Sequence, residues 1–280
     1  MWKQKIGISI ENKYDRPLRE MVALLKQIGF DAVSPCYKTE EPLREIVDAA
    51  TQCGMELHFL HAPFGKAAAM WSRDEEKSAP AVAELTEALE ACAKFRIPTL
   101  VVHTWIGFKY EFDGADLYFE NFDKLVARAK ELGTHIAFEN TEGEEYLYAL
   151  MERYKDNDTV GFCWDSGHEM CYNHSKDLLQ KYGDRLLVTH LNDNLGISRF
   201  DGETYWTDDL HLLPYDGIAD WEEYVRRLRK ARRLDILNFE LSIRSKPDRH
   251  ENDLYGKMSL EEYFTEAYKR ACKIAYNYSK

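Results

Sequence analysis

The stretch VGFCWDSGH, residues 160–168, joins a buried-strand pattern to acid and imidazole side chains. A near-continuous apolar run of this kind is typical of a parallel strand that is buried on both faces. The run ends at Asp165, and His168 follows three residues later. A core strand that ends in an acid and an imidazole indicates a functional site at the edge of a sheet, where the carboxyl ends of parallel strands meet.

Seven further apolar runs separated by amphipathic stretches extend this pattern along the chain. Eight strands alternating with about eight helices predict the α/β class, as one (β/α)₈ TIM barrel domain over residues 1–280. A doubly wound open sheet is the structural alternative, but no G-x-G-x-x-G follows the first run to indicate dinucleotide binding. The predicted strands are 5–10, 31–35, 56–63, 99–105, 135–140, 160–168, 186–193 and 236–242, and the predicted helices are 18–30, 41–54, 75–95, 118–133, 144–154, 175–183, 221–234 and 259–278.

The composition of the 280 residues narrows the classes of protein. Hydrophobic residues make up 45 % and charged residues 31 %, which predicts a soluble protein with a substantial core. No apolar run is long enough for a membrane span and the start lacks a secretory pattern, so we expect a cytoplasmic location. The six cysteines form no C-x-x-C pair and are expected to be reduced. A net charge of −12 makes nucleic acid an unlikely partner without excluding it.

Metal-ligating side chains end most of the predicted strands from the third onward. In a barrel of this type the site lies at the carboxyl ends of the strands. Each of these residues alone could be structural, but several unpaired carboxylates buried on one face would be very costly. A divalent cation removes that cost, because carboxylates and neutral imidazoles are its natural ligands. The strand-end residues are His61, His103, Glu139, Asp165, His168, His190 and Glu240, and the loop after the seventh strand adds Asp209 and His211.

The identity of the metal follows from which of these side chains bind it. Glu139, Asp165, His190 and Glu240 offer three carboxylates and one imidazole, a set that favours Mn²⁺, Mg²⁺ or Fe²⁺, with Co²⁺ also possible. If further residues also act as ligands, the site becomes richer in nitrogen and holds several ions, and Zn²⁺ is then favoured. The residues that could be additional metal or substrate ligands are His61, His103, His168, Asp209 and His211.

From HAPFG (61–65) to FELS (239–242), the chain resembles the xylose isomerase-like barrel superfamily. This superfamily groups sugar isomerases and epimerases with apurinic-site endonucleases of the endonuclease-four type. The motifs that carry the resemblance are FEN with Glu139, WDSGH with Asp165 and His168, THLNDN with His190, and DLHLLPYDG with Asp209 and His211.

The two branches of this superfamily imply different uses of the same residues. The ketose 3-epimerase branch implies one metal held by Glu139, Asp165, His190 and Glu240. It also implies proton transfer by Glu139 and Glu240, and substrate contacts from Glu145, His168 and Arg199. The endonuclease branch implies three zinc ions. Their ligands would be the nine residues His61, His103, Glu139, Asp165, His168, His190, Asp209, His211 and Glu240.

The leading functional hypothesis is a metal-dependent sugar or sugar-phosphate isomerase or epimerase that removes a proton next to a carbonyl. The alternatives are an endonuclease-four-like enzyme with a multi-zinc site, and an inosose dehydratase or hydroxypyruvate isomerase-type enzyme. The HAPFG turn and the absence of a basic loop after the second strand favour a small-molecule sugar substrate, and a homo-oligomer is possible. The aromatic residues near the rim that could pack against a sugar ring are Trp105, Phe108, Trp164, Tyr205 and Trp206, although Trp164 is better explained by core or loop packing.

Overall fold

The computed structural model describes residues 4–11 and 14–280, so the domain predicted over 1–280 includes positions outside the described residues. The predicted third strand consists of two short segments, β3 and β4, which are separated by His58 and Phe59. The strands are β1 (Lys5–Ile10), β2 (Ala32–Pro35), β3 (Glu56–Leu57), β4 (Leu60–His61), β5 (Thr99–His103), β6 (His135–Glu139), β7 (Val160–Asp165), β8 (Leu186–His190) and β9 (Ile236–Phe239).

All ladder pairings between these strands are parallel, in the orders β3-β2-β1-β9 and β4-β5-β6-β7-β8. Two parallel bridges, Cys36 with His61 and Leu191 with Phe239, join the edges of these two sheets. The strands therefore curl into the closed barrel that the sequence predicts, and the open-sheet alternative is wrong.

The helices lie where the amphipathic stretches predict them, with one addition. Helix α6 occupies residues that the sequence assigns to the end of the sixth predicted strand, so the prediction of a strand over 160–168 is wrong beyond Asp165. The strand stops there because the Asp165 side chain accepts a hydrogen bond from the His168 amide and caps the new helix. The helices are α1 (Leu18–Ile28), α2 (Glu40–Cys53), α3 (Glu75–Phe95), α4 (Glu120–Leu132), α5 (Glu144–Arg153), α6 (Ser166–Cys171), α7 (Leu178–Tyr182), α8 (Trp221–Leu228) and α9 (Leu260–Ser279).

A small apolar cluster lies directly below the predicted site residues. Side chains two residues apart on a strand point to the same face. Each member of the cluster comes two residues before a site residue, so the site forms the next layer toward the carboxyl ends of the strands. The cluster members are Phe59, Val101, Ala137, Cys163 and Val188, and the residues two positions later are His61, His103, Glu139, Asp165 and His190.

Asn238 precedes Glu240 by two residues and makes the same layer polar on the opposite side of the barrel. Its side-chain amide donates to the Ser9 hydroxyl (3.0 Å) and accepts from the Ser34 hydroxyl (3.0 Å). Its backbone amide donates to the Thr189 hydroxyl (3.0 Å). One fully buried asparagine therefore ties β9 to β1, β2 and β8 beneath the site.

We predict that Asn238→Ala lowers the free energy of unfolding by about 2–3 kcal/mol, because it leaves two buried hydroxyls without their partner. Urea unfolding monitored by circular dichroism measures the change. Asn277→Ala on α9, where no side-chain hydrogen bond is made within the described residues, is the control and should change stability by less than about 0.5 kcal/mol. Equal stability of the two variants would contradict this role for Asn238.

Candidate metal centre

All nine predicted ligands lie together at the carboxyl ends of the strands. They fall into three groups whose donor atoms lie within 4.8 Å of one another, and Glu139 belongs to two of these groups. The groups are His61, His103 and Glu139; Glu139, Asp165, His190 and Glu240; and His168, Asp209 and His211.

Glu139 is completely buried and is contacted by four imidazoles. Its Oε2 lies 3.2 Å from His61 Nε2 and 3.3 Å from His103 Nε2. Its Oε1 lies 3.0 Å from His190 Nδ1 and 3.3 Å from His168 Nδ1. Each oxygen therefore faces a different group of donors, which is the arrangement of a carboxylate that can bridge two cations.

His190 Nδ1 faces three carboxylates at once. It lies 2.9 Å from Glu240 Oε2, 3.0 Å from Glu139 Oε1 and 3.9 Å from Asp165 Oδ2. A single N–H cannot satisfy three buried anions, whereas a divalent cation between these atoms would. This donor set therefore fits a metal ion.

Three histidines are oriented in the way that metal ligands usually are. The Nδ1 atoms of His61, His168 and His211 lie 2.8, 2.9 and 3.2 Å from the backbone carbonyls of Ala62, Asn140 and Glu240. An Nδ1–H that donates to a carbonyl leaves the Nε2 lone pair for a metal. The Nε2 atoms of His168 and His211 both face Asp209, at 3.5 and 2.9 Å.

The electrostatics of the metal-free site show how strongly these groups depend on one another. Burial raises the pKa of Glu139, but the charges of His190 and His103 outweigh it and hold the net pKa well below the ordinary value. Burial lowers the pKa of His168, but Asp165 and Asp209 raise it well above its usual range. Without metal, protons on the imidazoles therefore balance the buried carboxylates.

Burial and neighbouring charge also set the pKa values of Asp165, Glu240 and His211. Burial raises the pKa of Asp165. Burial also acts to raise the pKa of Glu240, but His190 lowers it to about 2. The pKa of His211 is raised to about 9, because Asp209 outweighs the opposing effect of burial.

Two asparagines position Asp165, and sequence reasoning assigned neither of them a role. The Asn140 side chain exchanges hydrogen bonds of 2.8 Å with the Asp165 backbone, and the Asn192 amide donates to both Asp165 carboxylate oxygens (3.2 and 3.1 Å). A Cβ at Gly167 would lie only 2.0 Å from Asn192 Oδ1, so this close approach requires glycine. The sequence does contain one signal for these two asparagines. Each follows a predicted metal ligand within two residues, in FEN and in HLN.

Asp193 fixes the loop that carries Asp209 and His211. This fully buried carboxylate accepts hydrogen bonds from the Tyr215 and Ala219 amides and from Trp221 Nε1, at 2.9 to 3.0 Å. The long loop after β8 is therefore held against the start of α8, which presents the third group of donors to the site.

Two predicted substrate contacts lie away from the site. Glu145 accepts a hydrogen bond from the Tyr110 hydroxyl (2.8 Å), and Arg199 pairs with Asp201 at the surface (3.2 Å). Neither lines the cavity, whereas His168 does. The carboxylate that lines it in the segment after β6 is Glu142, whose Oε1 accepts from the Gly107 amide (2.9 Å).

The site opens into a cavity of about 470 Å³, within the range of small-molecule pockets. Of the five aromatic residues expected at the rim, Phe108 and Trp206 line this cavity. Trp164 is fully buried, Trp105 stacks on Tyr146, and the Tyr205 hydroxyl bonds Asp201. Phe64, which stacks on the His103 ring at 4.6 Å, also lines it.

Cysteine chemistry contributes little to this centre. All six cysteines lack a disulfide, as the sequence predicts. Cys163 lies near Glu139 and His190, but burial raises the pKa of its thiol to about 12. Without a metal ion it is therefore a neutral thiol at pH 7.

Residues 22–264 match the family described as xylose isomerase-like TIM barrel, and the chain belongs to this family. It shares 28 % identity over 269 residues with the uncharacterised protein y4fM of Sinorhizobium fredii, covering 82 % of this chain and 83 % of that protein. It also shares 28 % identity over 181 residues with a probable endonuclease 4 of the Aster yellows witches'-broom phytoplasma, covering 56 % and 61 % of the two chains.

Solved structures with the same fold include enzymes that act on sugars. The 3-keto-D-glucoside 4-epimerase YcjR of E. coli superposes with a TM-score of 0.69 and 17 % identity, over 96 % of this chain and 100 % of its own. The IolI protein with a bound zinc atom superposes with a TM-score of 0.74 and 18 % identity, over 97 % of this chain and 98 % of its own.

Among the helices of the described residues, none has the length and apolar character needed to cross a bilayer.

We predict that adding Mn²⁺ or Zn²⁺ to the metal-free protein raises its melting temperature and releases protons at pH 7. The protons leave because the pKa values of His168 and His190 are raised well above the ordinary value, whereas a bound metal needs neutral imidazoles. The metal affinity should therefore rise with pH. At a hundredfold excess over Kd the stabilisation should be about 2.7 kcal/mol.

Calorimetric titration in two buffers of different ionisation enthalpy counts the released protons, and thermal unfolding measures the stabilisation. Asp165→Asn should weaken both effects, while the surface variant Asp156→Asn serves as the matched control. Metal binding that is equally strong in both variants would place the ion elsewhere.

Proposed function

We propose that the protein is a metal-dependent isomerase or epimerase of a sugar or sugar phosphate, which acts by removing a proton next to a carbonyl. The observation that carries this proposal is that two carboxylates, Glu139 and Glu240, lie 3.0 and 2.9 Å from His190 Nδ1 at a cavity of small-molecule size. Glu139 ends β6 and Glu240 directly follows β9, which belongs to the other of the two sheets. The two carboxylates therefore approach the same point from different directions.

Glu139, Asp165, His190 and Glu240 would hold the principal metal ion. When bound, such an ion polarises a substrate carbonyl and so makes the neighbouring carbon more acidic. His61, His103, His168, Asp209 and His211 offer further donors to it or to the substrate.

Glu240 is better placed than Glu139 to move the proton. Both side chains line the cavity, but the Glu240 side chain is 19 % exposed, whereas Glu139 is fully buried with both oxygens engaged by imidazoles. As a carboxylate that faces the cavity, Glu240 can accept a proton from the carbon next to a substrate carbonyl. An epimerase would return a proton from the other carboxylate on the opposite face, and an isomerase would return it from Glu240 itself.

The wall of the cavity offers groups that can orient substrate hydroxyls. His168 and Glu142 line it, and both are held by hydrogen bonds to the backbone. Phe64 and Trp206 present aromatic surface that suits the apolar face of a sugar. Inosose dehydration and hydroxypyruvate isomerisation use the same proton abstraction, so these substrates belong to the same proposal.

A second candidate is an apurinic-site endonuclease with three zinc ions. The observation that favours it is that three groups of donors together include all nine residues, and that Glu139 belongs to two of these groups. The similarity to a probable endonuclease 4 adds support over about half of the chain. Against it stand the net charge of −12 and a cavity rather than a basic groove at the site.

We predict that the Mn²⁺-loaded protein in D₂O incorporates solvent deuterium into a recovered ketose, ketose phosphate, inosose or hydroxypyruvate. Glu240→Gln should lower that rate by about 10²–10⁴-fold, because an amide cannot accept the proton. Glu222→Gln on the exposed start of α8 is the control and should retain full activity. Mass spectrometry of the recovered substrate measures the exchange.

The same preparations should be given a duplex that contains one abasic site. The isomerase proposal requires no nicking above background. Nicking by the Zn²⁺-loaded protein that is lost in Glu139→Gln, without deuterium exchange into any sugar, would overturn it in favour of the endonuclease.

A further inference from the structure

The segment after β9, residues 241–247, forms one wall of the cavity. It carries Arg244 and Lys246, which are the only cationic side chains other than histidines among the described residues that line the cavity. The other lining residues that can carry a charge near pH 7 are carboxylates and imidazoles, so lysine and arginine charge is confined to this one wall within the described residues.

The Arg244 guanidinium has no protein partner within residues 4–11 and 14–280. Nearby arginines differ, since Arg249 pairs with Asp208 (2.9 Å) and Arg199 pairs with Asp201 (3.2 Å). A guanidinium has five N–H donors in a planar fork that matches a carboxylate or a phosphate. Within the described residues, Arg244 is therefore an exposed, unpaired guanidinium at the edge of the cavity, where an anion can reach it.

Lys246 adds a second positive charge to the same wall. Its Nζ lies 3.3 Å from Asp209 Oδ2 and 5.6 Å from the centre of the Trp206 ring, which fixes the ammonium beside the site. An ammonium has three donors, and Asp209 takes one of them. The others are available to a bound anion.

The wall is organised before any ligand binds. The side-chain amide of Asn252, which is 1 % exposed, donates to the Ser242 carbonyl (3.0 Å), and its backbone amide donates to the Ser245 hydroxyl (3.0 Å). The Ser242 amide donates to the His211 carbonyl (2.9 Å), which ties the wall to the metal centre. A preformed loop reduces the entropy lost when a ligand binds.

Arg244 is also close enough to the reacting groups to contact the same small molecule. Only three residues lie between it and Glu240, so their Cα atoms are at most about 14 Å apart. A pentose or hexose with a terminal anionic group, together with the reach of an arginine side chain, can span a separation up to that limit.

We propose that the substrate is an anionic carbohydrate, with a phosphate or carboxylate remote from the reacting carbonyl, and that Arg244 binds this group beside Lys246. This inference rests on the proposed isomerase function, and it names the substrate class of that site. A neutral sugar offers no charged group to the Arg244 guanidinium.

Calorimetric titration of the Mn²⁺-loaded protein tests this, with inorganic phosphate, D-fructose, D-fructose 6-phosphate and 5-keto-D-gluconate as probes. We expect at least one anionic probe to bind about tenfold or more tightly than D-fructose. Arg244→Gln should weaken that binding about 10- to 100-fold, and Arg244→Lys should restore part of it. Arg232→Gln, in an exposed residue that does not line the cavity, should leave it unchanged.

The outcomes distinguish the anion-binding inference from the isomerase proposal. Preference for the phosphate or for the keto acid identifies the anionic group. Anion binding that survives Arg244→Gln, or binding of none of the anionic probes, overturns the inference, and it leaves the isomerase proposal intact if solvent deuterium still enters a ketose. Nicking of an abasic-site duplex without exchange into any sugar overturns both.

Discussion

The whole site depends on one buried carboxylate, Glu139, which four imidazoles surround at 3.0 to 3.3 Å. An ionised carboxylate with no exposure to water is stable only where positive charge compensates it. The barrel supplies that charge from strands on several sides, either as imidazolium protons or as metal ions. The apolar layer beneath the site excludes water, which makes this compensation strong and necessary.

The strand-end residues could be predicted from the sequence because two regularities fix them. Parallel strands in a barrel bring their carboxyl ends to one face, and the two-residue period of a strand decides which side chains point inward. The strand backbone therefore directs His103, Glu139, Asp165 and His190 toward the site, where Asn140 and Asn192 also hold Asp165. Asp209 and His211 lie in a loop, and they reach the site because Asp193 anchors that loop.

The substrate contacts could not be predicted in the same way, because loop conformation decides them. Glu145 lies on α5 and bonds Tyr110, whereas Glu142, before the helix, lines the cavity. Arg199 lies on an exposed part of its loop, and the cavity instead has Arg244 from the segment after β9. When a loop follows a different path, a contact residue that is assigned from its spacing in a family no longer lies at the site. Helix α6 was missed for a related reason. It begins because Asp165 caps it, and the apolar run before Asp165 gives no sign of that cap.

An anomalous-scattering crystal structure of the protein grown with excess Mn²⁺ tests most directly whether this cluster exists to bind metal. We predict a manganese peak in contact with Glu139, Asp165, His190 and Glu240. Peaks that are confined to other places, with the carboxylate–imidazole contacts of Glu139 unchanged, would contradict the metal centre on which the proposed function depends.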